Sequence, residues 1–234
     1  DPFDATFVGR AHPPEGQADA DIVVFRSRSI GWGMRERISL TNHGLQPVAV
    51  LIDLLCDADF AALFAVKESR AHGRGRHPIE PRPDGVRFRA DDRRAVKATE
   101  VRCSAPPTAT TPSQPGTHAL LRWSPLLAAR ETWELCIDIA VTLGGVPLEP
   151  RFSCRGADAD SVPVRRLASW RKGMPAVDTD TPALADSVRR AGVDLGALRI
   201  FDPEVPDVPI VAAGAPWFMT VFGRDSLITG WMAL

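Results

Sequence analysis

Residues 33–56 read GMRERISLTNHGLQPVAVLIDLLC, and their rhythm decides the fold class. Over Met34–Leu40 polarity alternates with period two: Met34, Ile38 and Leu40 fall on one side, Arg35, Arg37 and Ser39 on the other. That is the pattern of a strand with one buried face. Glu36 falls on the apolar side. A carboxylate placed there needs a cation to offset its lost hydration, so an arginine on an adjacent strand is the expected partner. Thr41-Asn42-His43-Gly44 supplies turn chemistry. Val48–Leu54 is apolar at nearly every position and predicts a second strand covered on both faces.

The same period extends outward in both directions. Strands are expected at Ile22–Arg26, Val86–Ala90, Val96–Arg102, His118–Trp123 and Thr132–Leu143, with turn residues every dozen or so positions, so the span from about Ile22 to Leu143 reads as antiparallel sheet with little helix. Ser104–Gly116 carries Pro106, Pro107, Pro112 and Pro115 and is expected to be a long loop, as is the Pro- and Arg-rich stretch Gly73–Gly85.

Composition narrows the function. The chain has 234 residues, a net charge of −1, 24% charged and 44% hydrophobic residues, which is globular composition with enough apolar side chain for a sizeable core. A near-zero charge gives no global field to gather polyanions, and Arg70, Arg74 and Arg76 with His72 and His77 form the one basic cluster. No aromatic lies between Phe64 and Phe88 to stack a base, so a solvated loop is expected there and no nucleic-acid partner. No apolar run approaches the length of a membrane span, and the N-terminal residues lack the pattern of a signal peptide. Cys56, Cys103, Cys136 and Cys154 are widely spaced without a CxxC, which predicts reduced core thiols, no zinc site and a cytoplasmic protein. Asp57-Ala58-Asp59 has no third ligand at a useful spacing, so no metal is expected, and Asp57 is read as the cap of the apolar segment Phe60–Phe64. The five histidines show no nucleophile pairing, and neither a Gly-x-Ser-x-Gly nor a phosphate loop occurs.

Beyond Phe152 the period changes. Asp180-Thr181-Pro182 followed by Leu184, Val188 and Ala191 predicts a helix from Pro182 to Ala191, ending at Gly192, with a capping residue before the proline. Asp194–Ile200 is expected to add a helical turn, and Phe201–Pro209 to be an extended link. A last helix should begin near Arg224–Asp225, with Leu227, Ile228, Trp231 and Leu234 on one apolar stripe. Position 1 is not Met and the helical rhythm runs to Leu234, so the sequence reads as a piece of a longer protein.

The stretch AAGAPWFMTVFGRDSLITGWMAL, residues 212–234, gathers aromatics, a glycine, an Arg and an Asp ahead of that helix. Asp225 suits a helix start and Arg224 offers a planar fork of donors, which fits either a cap with a salt bridge or a ligand site. The string PWFMTVFGRDSLITGWMAL resembles the start of the first barrel helix in bacterial glycogen-debranching enzymes of the amylo-α-1,6-glucosidase type. The segments from Gly33, GMRERISLTNHGLQPVAVLIDLLCDADFAALFAVKE, and from Arg165, RRLASWRKGMP, resemble that family's N-terminal β-domain and linker. The resemblance implies a mainly β fold: an antiparallel β-supersandwich over residues 1–152, short of its opening strands, a linker with short helices over 153–216, and the first helix of an (α/α)6 barrel over 217–234. It further implies hydrolysis of α-1,6-linked glucosyl stubs on an α-glucan without a cofactor. Arg224 and Asp225 would contact sugar hydroxyls, and Trp217 and Phe222 would line the pocket. The acid and base that glycoside hydrolysis requires would come from later barrel helices, leaving no catalytic residue in this stretch. Two other readings are kept: a β-sandwich module that binds polysaccharide or protein without hydrolysis, and a helical-barrel relative of the glucoamylase or trehalase kind.

Overall fold

In the computed structural model all residues are described except 14–19, 71–76, 92–94, 113–117, 203 and 233–234. The chain is mainly β and its sheets are antiparallel. The strands are β1 (Asp4–Arg10), β2 (Ile22–Ile30), β3 (Gly33–Asn42), β4 (Val48–Ala49), β5 (Ile52–Cys56), β6 (Ile79–Arg82), β7 (Gly85–Asp91), β8 (Val96–Cys103), β9 (Ala109–Pro112), β10 (Ala119–Trp123), β11 (Leu126–Leu127), β12 (Thr132–Leu143), β13 (Val146–Leu148), β14 (Arg199–Asp202) and β15 (Val205–Val211). The helices are α1 (Leu63–Lys67), α2 (Val162–Gly173), α3 (Pro182–Ala197) and α4 (Gly223–Met232). Two compact units result: Phe3–Phe60 with His72–Ser161 and Asp1, and Ala61–Ala71 with Val162–Leu234 and Pro2.

In the first unit the large sheet runs β1-β2-β3-β12-β8-β7-β6, with β13 folded back on β12. Leu143 pairs with Val146 across Gly144 and Gly145, whose φ values of 62° and 80° are those a tight two-residue hairpin demands. A second sheet, β5-β10-β9, faces the large one over a core of Ile38 and Leu40 from β3, Val86 and Phe88 from β7, Leu135 and Ile137 from β12, and Cys56, Ala119, Leu121 and Trp123 from the smaller sheet. Gly85 lets β7 reach β8, because a Cβ there would lie 2.0 Å from the Val101 carbonyl oxygen.

Val48–Leu54 is not one strand. β4 pairs with β11 and β5 with β10, and the intervening Val50 donates its N–H to the Pro125 carbonyl. Leu51 and Leu55 are 61% and 58% exposed, so the expected cover on both faces is absent; the apolar run serves two short sheets with one open side. Asp57 does not cap α1, whose first turn is preceded by Ala62 without a side-chain cap.

The four cysteines are not all thiols. Cys136 on β12 and Cys154 form a disulfide, while Cys56 and Cys103 stay free in the core, where burial pushes their thiols up to about 11 and about 12. Sequence spacing could not pair 136 with 154, because the chain returns over the outer face of the large sheet only after β13. Along that return Cys154 donates its N–H to the Asp138 carboxylate at 2.9 Å and Phe152 packs on Phe3 with ring centroids 5.3 Å apart.

In the second unit α3 continues six residues past the expected end at Ala191. Gly192 terminates nothing: together with Gly196 it clears a groove in which Met174 and Trp170 sit, and the Trp170 indole donates to the Gly192 carbonyl at 2.7 Å. Thr181 occupies the cap position, with no side-chain cap bond, and Pro182 opens the helix as expected. The expected helical turn at 194–200 is present as far as Ala197, as the end of α3, and the expected extended link at 201–209 runs through the hairpin β14–β15. Arg166 lies 3.7 Å over the Phe201 ring and Arg199 4.7 Å from the Trp170 ring, so alternating guanidinium and aromatic planes fasten the hairpin to α2.

No helix among the described residues is long and apolar enough to cross a membrane, and none of them form a group of three or more metal-ligating side chains.

Candidate functional site

α4 begins at Gly223, which puts Asp225 in the first turn and not at the cap. The helix start is organised by Ser226. Its hydroxyl donates to the Val211 carbonyl at 2.8 Å and accepts the Phe222 N–H at 3.3 Å, while its own N–H bonds to the Phe222 carbonyl. This serine does the capping work expected of Asp225, and it joins α4 to β15. The sequence left the choice open, because Asp and Ser rank alike as capping types and Asp225 and Ser226 stand side by side in the first turn.

Arg224 and Asp225 are both exposed, and among the described residues neither has an ion-pair partner. The salt bridge allowed by their adjacency does not form. An aspartate in the first turn sits favourably in the helix dipole, and the donors of Arg224 and acceptors of Asp225 both remain open to hydroxyl groups. Phe222 is 40% exposed and stands edge-on to Phe218 at 5.8 Å, while Trp217 is half-buried upstream. Lys67 of α1 lies 4.5 Å over the Phe218 ring. The structure therefore brings Phe222, Arg224 and Asp225 to one helix start. The stripe beyond it, Leu227, Ile228, Trp231 and Met232, is exposed, with Trp231 at 80%; Leu234 lies outside the described residues.

The charges of the β-unit behave differently. Glu36 is 3% exposed and its carboxylate accepts from Arg26 Nε at 2.5 Å and Arg28 Nε at 2.8 Å, both on β2 opposite β3. The arginine partner expected from sequence is thus two arginines. On the opposite face Arg35 is 1% exposed and bonds Asp158 and the Ser29 hydroxyl, with Arg37 3.2 Å from Asp158. The Arg35 hydrogen bond holds the Asp158 carboxyl below its ordinary range, whereas burial raises that of Asp138 against the pull of the Cys154 N–H and nearby arginines. In the basic cluster Arg70 pairs with Glu68, and His77 stands edge-on to Phe60 at 4.9 Å. His72, Arg74 and Arg76 lie outside the described residues.

Comparison with known proteins gives one family match, which falls mainly in the β-unit. The model of a family described as the N-terminal domain of some glycogen debranching enzymes matches residues 1–138, more than half of the chain. No curated protein matches. Among solved structures, a chain described as a candidate kojibiose phosphorylase from the human microbiome is similar at 11% identity and a TM-score of 0.44, over 85% of this chain and 24% of that one. A polysaccharide lyase is similar at 17% identity and a TM-score of 0.35, over 59% of this chain and 25% of that one. The chain thus spans about a quarter of the length of either structure. It belongs, through its β-unit, to the family of N-terminal domains of glycogen debranching enzymes.

Proposed function

We propose that the chain is the β-domain, linker and first barrel helix of a glycoside hydrolase that removes α-1,6-linked glucosyl stubs from an α-glucan. The family match over residues 1–138 supports it most strongly. The β-unit supplies a scaffold in which Glu36 and Asp158 are each held by two arginines. In the second unit Arg224 and Asp225, open and unpaired at the start of α4, hydrogen-bond hydroxyls of the terminal glucose, with Phe222 and Trp217 against the sugar ring. The acid and the base come from other helices of the barrel, the intended neighbour of the apolar stripe Leu227–Met232. The expectation of a cytoplasmic protein rested on four reduced thiols; the Cys136–Cys154 bridge removes two of them, and such bridges persist in oxidising compartments.

The test is kinetic, on an enzyme that carries this segment together with its whole barrel. Charge-assisted hydrogen bonds are worth roughly 1.5–3 kcal/mol, so Asp225→Asn should lower kcat/KM for an α-1,6-branched oligosaccharide by about 10- to 150-fold. Unchanged kcat/KM in a folded variant would remove Asp225 from the site. Glucose release from linear α-1,4 chains equal to that from branched ones would remove the α-1,6 assignment.

A further inference from the structure

The outer face of the large sheet holds a cleft whose floor is three neighbouring strands in register. Phe25, Ser39 and Glu134 form one row across β2, β3 and β12, and Ser27, Arg37 and Cys136 form the next. Side chains alternate between the faces of a strand, so both rows point away from the core that Val24, Ile38 and Leu135 enter from the other side. With Ser104, which follows β8, and Cys154, these side chains line a volume of about 620 Å³. The disulfide to Cys136 fixes the Cys154 side of the cleft.

Phe25 is 46% exposed and its ring is open. Phe7 and Trp32, the other exposed aromatics of the β-unit, are covered by guanidinium groups: Arg26 and Arg28 lie 5.7 and 5.5 Å over the one, and Arg151 3.8 Å over the other. Among the described residues no cation and no second ring lies on Phe25. The rest of the lining is polar and balanced in charge, with three serines, one guanidinium and one carboxylate. The Glu134 carboxylate is exposed and has no ion-pair or hydrogen-bond partner among the described residues, while Arg37 commits one terminal nitrogen to Asp158 at 3.2 Å.

These groups define their ligand by chemistry. One cation against one anion gathers no polyanion, and a wholly apolar ligand would strip water from both charges without replacing it. An uncharged ligand with donors and acceptors around its rim and an apolar plane satisfies every group. A pyranose is such a ligand, because its hydroxyls both donate and accept and its C–H face stacks on an aromatic ring. Phe25 and Glu134 stand two strand spacings apart, roughly 10 Å, which suits consecutive sugars of a chain.

We propose that this cleft is a surface site for an α-glucan chain, with one sugar stacked on Phe25 and the next hydrogen-bonded by Arg37, Ser39 and Glu134. The lining selects a pyranose; the choice of an α-glucan rests on the proposed function. The cleft shares no residue with the start of α4, so it binds glucan without cleaving it.

Titration calorimetry of the 234-residue chain with maltoheptaose, carried into the millimolar range, tests the site. Saturable binding is expected, weakened about tenfold by Phe25→Ala, which loses the stacking surface, and about fivefold by Glu134→Ala. Phe25→Tyr keeps a ring and should stay within about twofold of the wild type. Both positions are exposed, and circular dichroism checks that each variant is folded. Absence of saturable binding, or equal affinity in wild type, Phe25→Ala and Glu134→Ala, overturns the site. Binding that ignores those two substitutions and is lost in Asp225→Asn places the saccharide at the start of α4, which overturns the cleft and leaves the glycosidase reading standing. Cellohexaose bound as tightly as maltoheptaose overturns the α-glucan assignment.

Discussion

The buried charges of the β-unit and the exposed charges at the start of α4 have the same chemistry and opposite circumstances. Glu36 lies among the core side chains of β3 with two guanidinium groups on it, and Arg35 on the other face of the same strand holds Asp158. Arg224 and Asp225 are adjacent in sequence, yet they pair neither with each other nor with any described residue. Removing a charge from the first set leaves a buried partner uncompensated, whereas removing one from the second leaves nothing exposed to a poorer solvent. The comparison separates charges that hold the fold from charges free to meet a ligand, and stability and activity measurements should divide along that line.

The sharpest break would come from Glu36. The double substitution Arg26→Ala with Arg28→Ala strands its carboxylate and should lower unfolding free energy by about 3–5 kcal/mol, read from urea denaturation. A loss under about 1 kcal/mol would show that the Glu36 carboxylate does not depend on the two arginines, and the paired-charge account of this unit would fail. Next in size is the disulfide. It closes a loop of 18 residues, so Cys136→Ser with Cys154→Ser should cost about 3 kcal/mol, and a reductant should bring the wild type to the same midpoint while leaving the variant unmoved.

A smaller effect is expected at Asp158, whose carboxyl the Arg35 hydrogen bond depresses. A depressed carboxylate contributes stability that is complete above its unfolded value, about pH 4, and is lost as pH falls through its lower folded value. Asp138, raised by burial, works in the opposite sense: its contribution is held at low pH and lost as pH rises through its folded value. Asp158→Asn should therefore flatten the acid limb of a stability profile. Asp158 is half exposed, so the change should stay below about 1 kcal/mol. The least effect on stability belongs to Asp225→Asn, which loses only its place in the helix dipole, at the low end of about 0.3–1 kcal/mol for an exposed group, while turnover in the barrel-bearing enzyme falls. A loss above about 1 kcal/mol would return Asp225 to a capping role.

Each strand expected from period two lies on or within an observed one, apart from Val48–Leu54, which divides, and His118, which stands just outside β10. The strands that escaped notice share a physical circumstance. β1 and β6 are the two edges of the large sheet, β9 is an edge of the smaller one, and β11, β13, β14 and β15 each pair on one side only. An edge strand needs half its backbone donors, so it admits Pro81, Pro112, Pro206 and Pro209, the residues that read as loop in the sequence. Gly192 misled for a related reason, since a glycine marks the end of a helix or the close approach of another element with the same letter, and only Trp170 and Met174 in its groove tell which. At the candidate site Arg224, Asp225 and Phe222 were legible because they are contiguous. The partnership of Arg35 with Asp158 was not, because the two are 123 residues apart in sequence and meet only once the chain has returned over the sheet.

Asn42 carries a consequence for the ageing of the protein. The amide is fully buried; its Nδ2 lies within hydrogen-bond distance of the carbonyl oxygens of Gln46, Leu127 and Ala128, and its Oδ1 accepts the Gly44 N–H. Deamidation would set a carboxylate against three carbonyl oxygens at the junction of β3 with the segment after β11. The reaction requires the backbone nitrogen of the next residue to attack the side-chain carbonyl, and His43 N–H is committed to the Asp21 carbonyl at 2.8 Å. The native fold therefore shields the residue on whose amide that junction depends, and chemical damage at Asn42 should accumulate in storage only as fast as the β-unit opens.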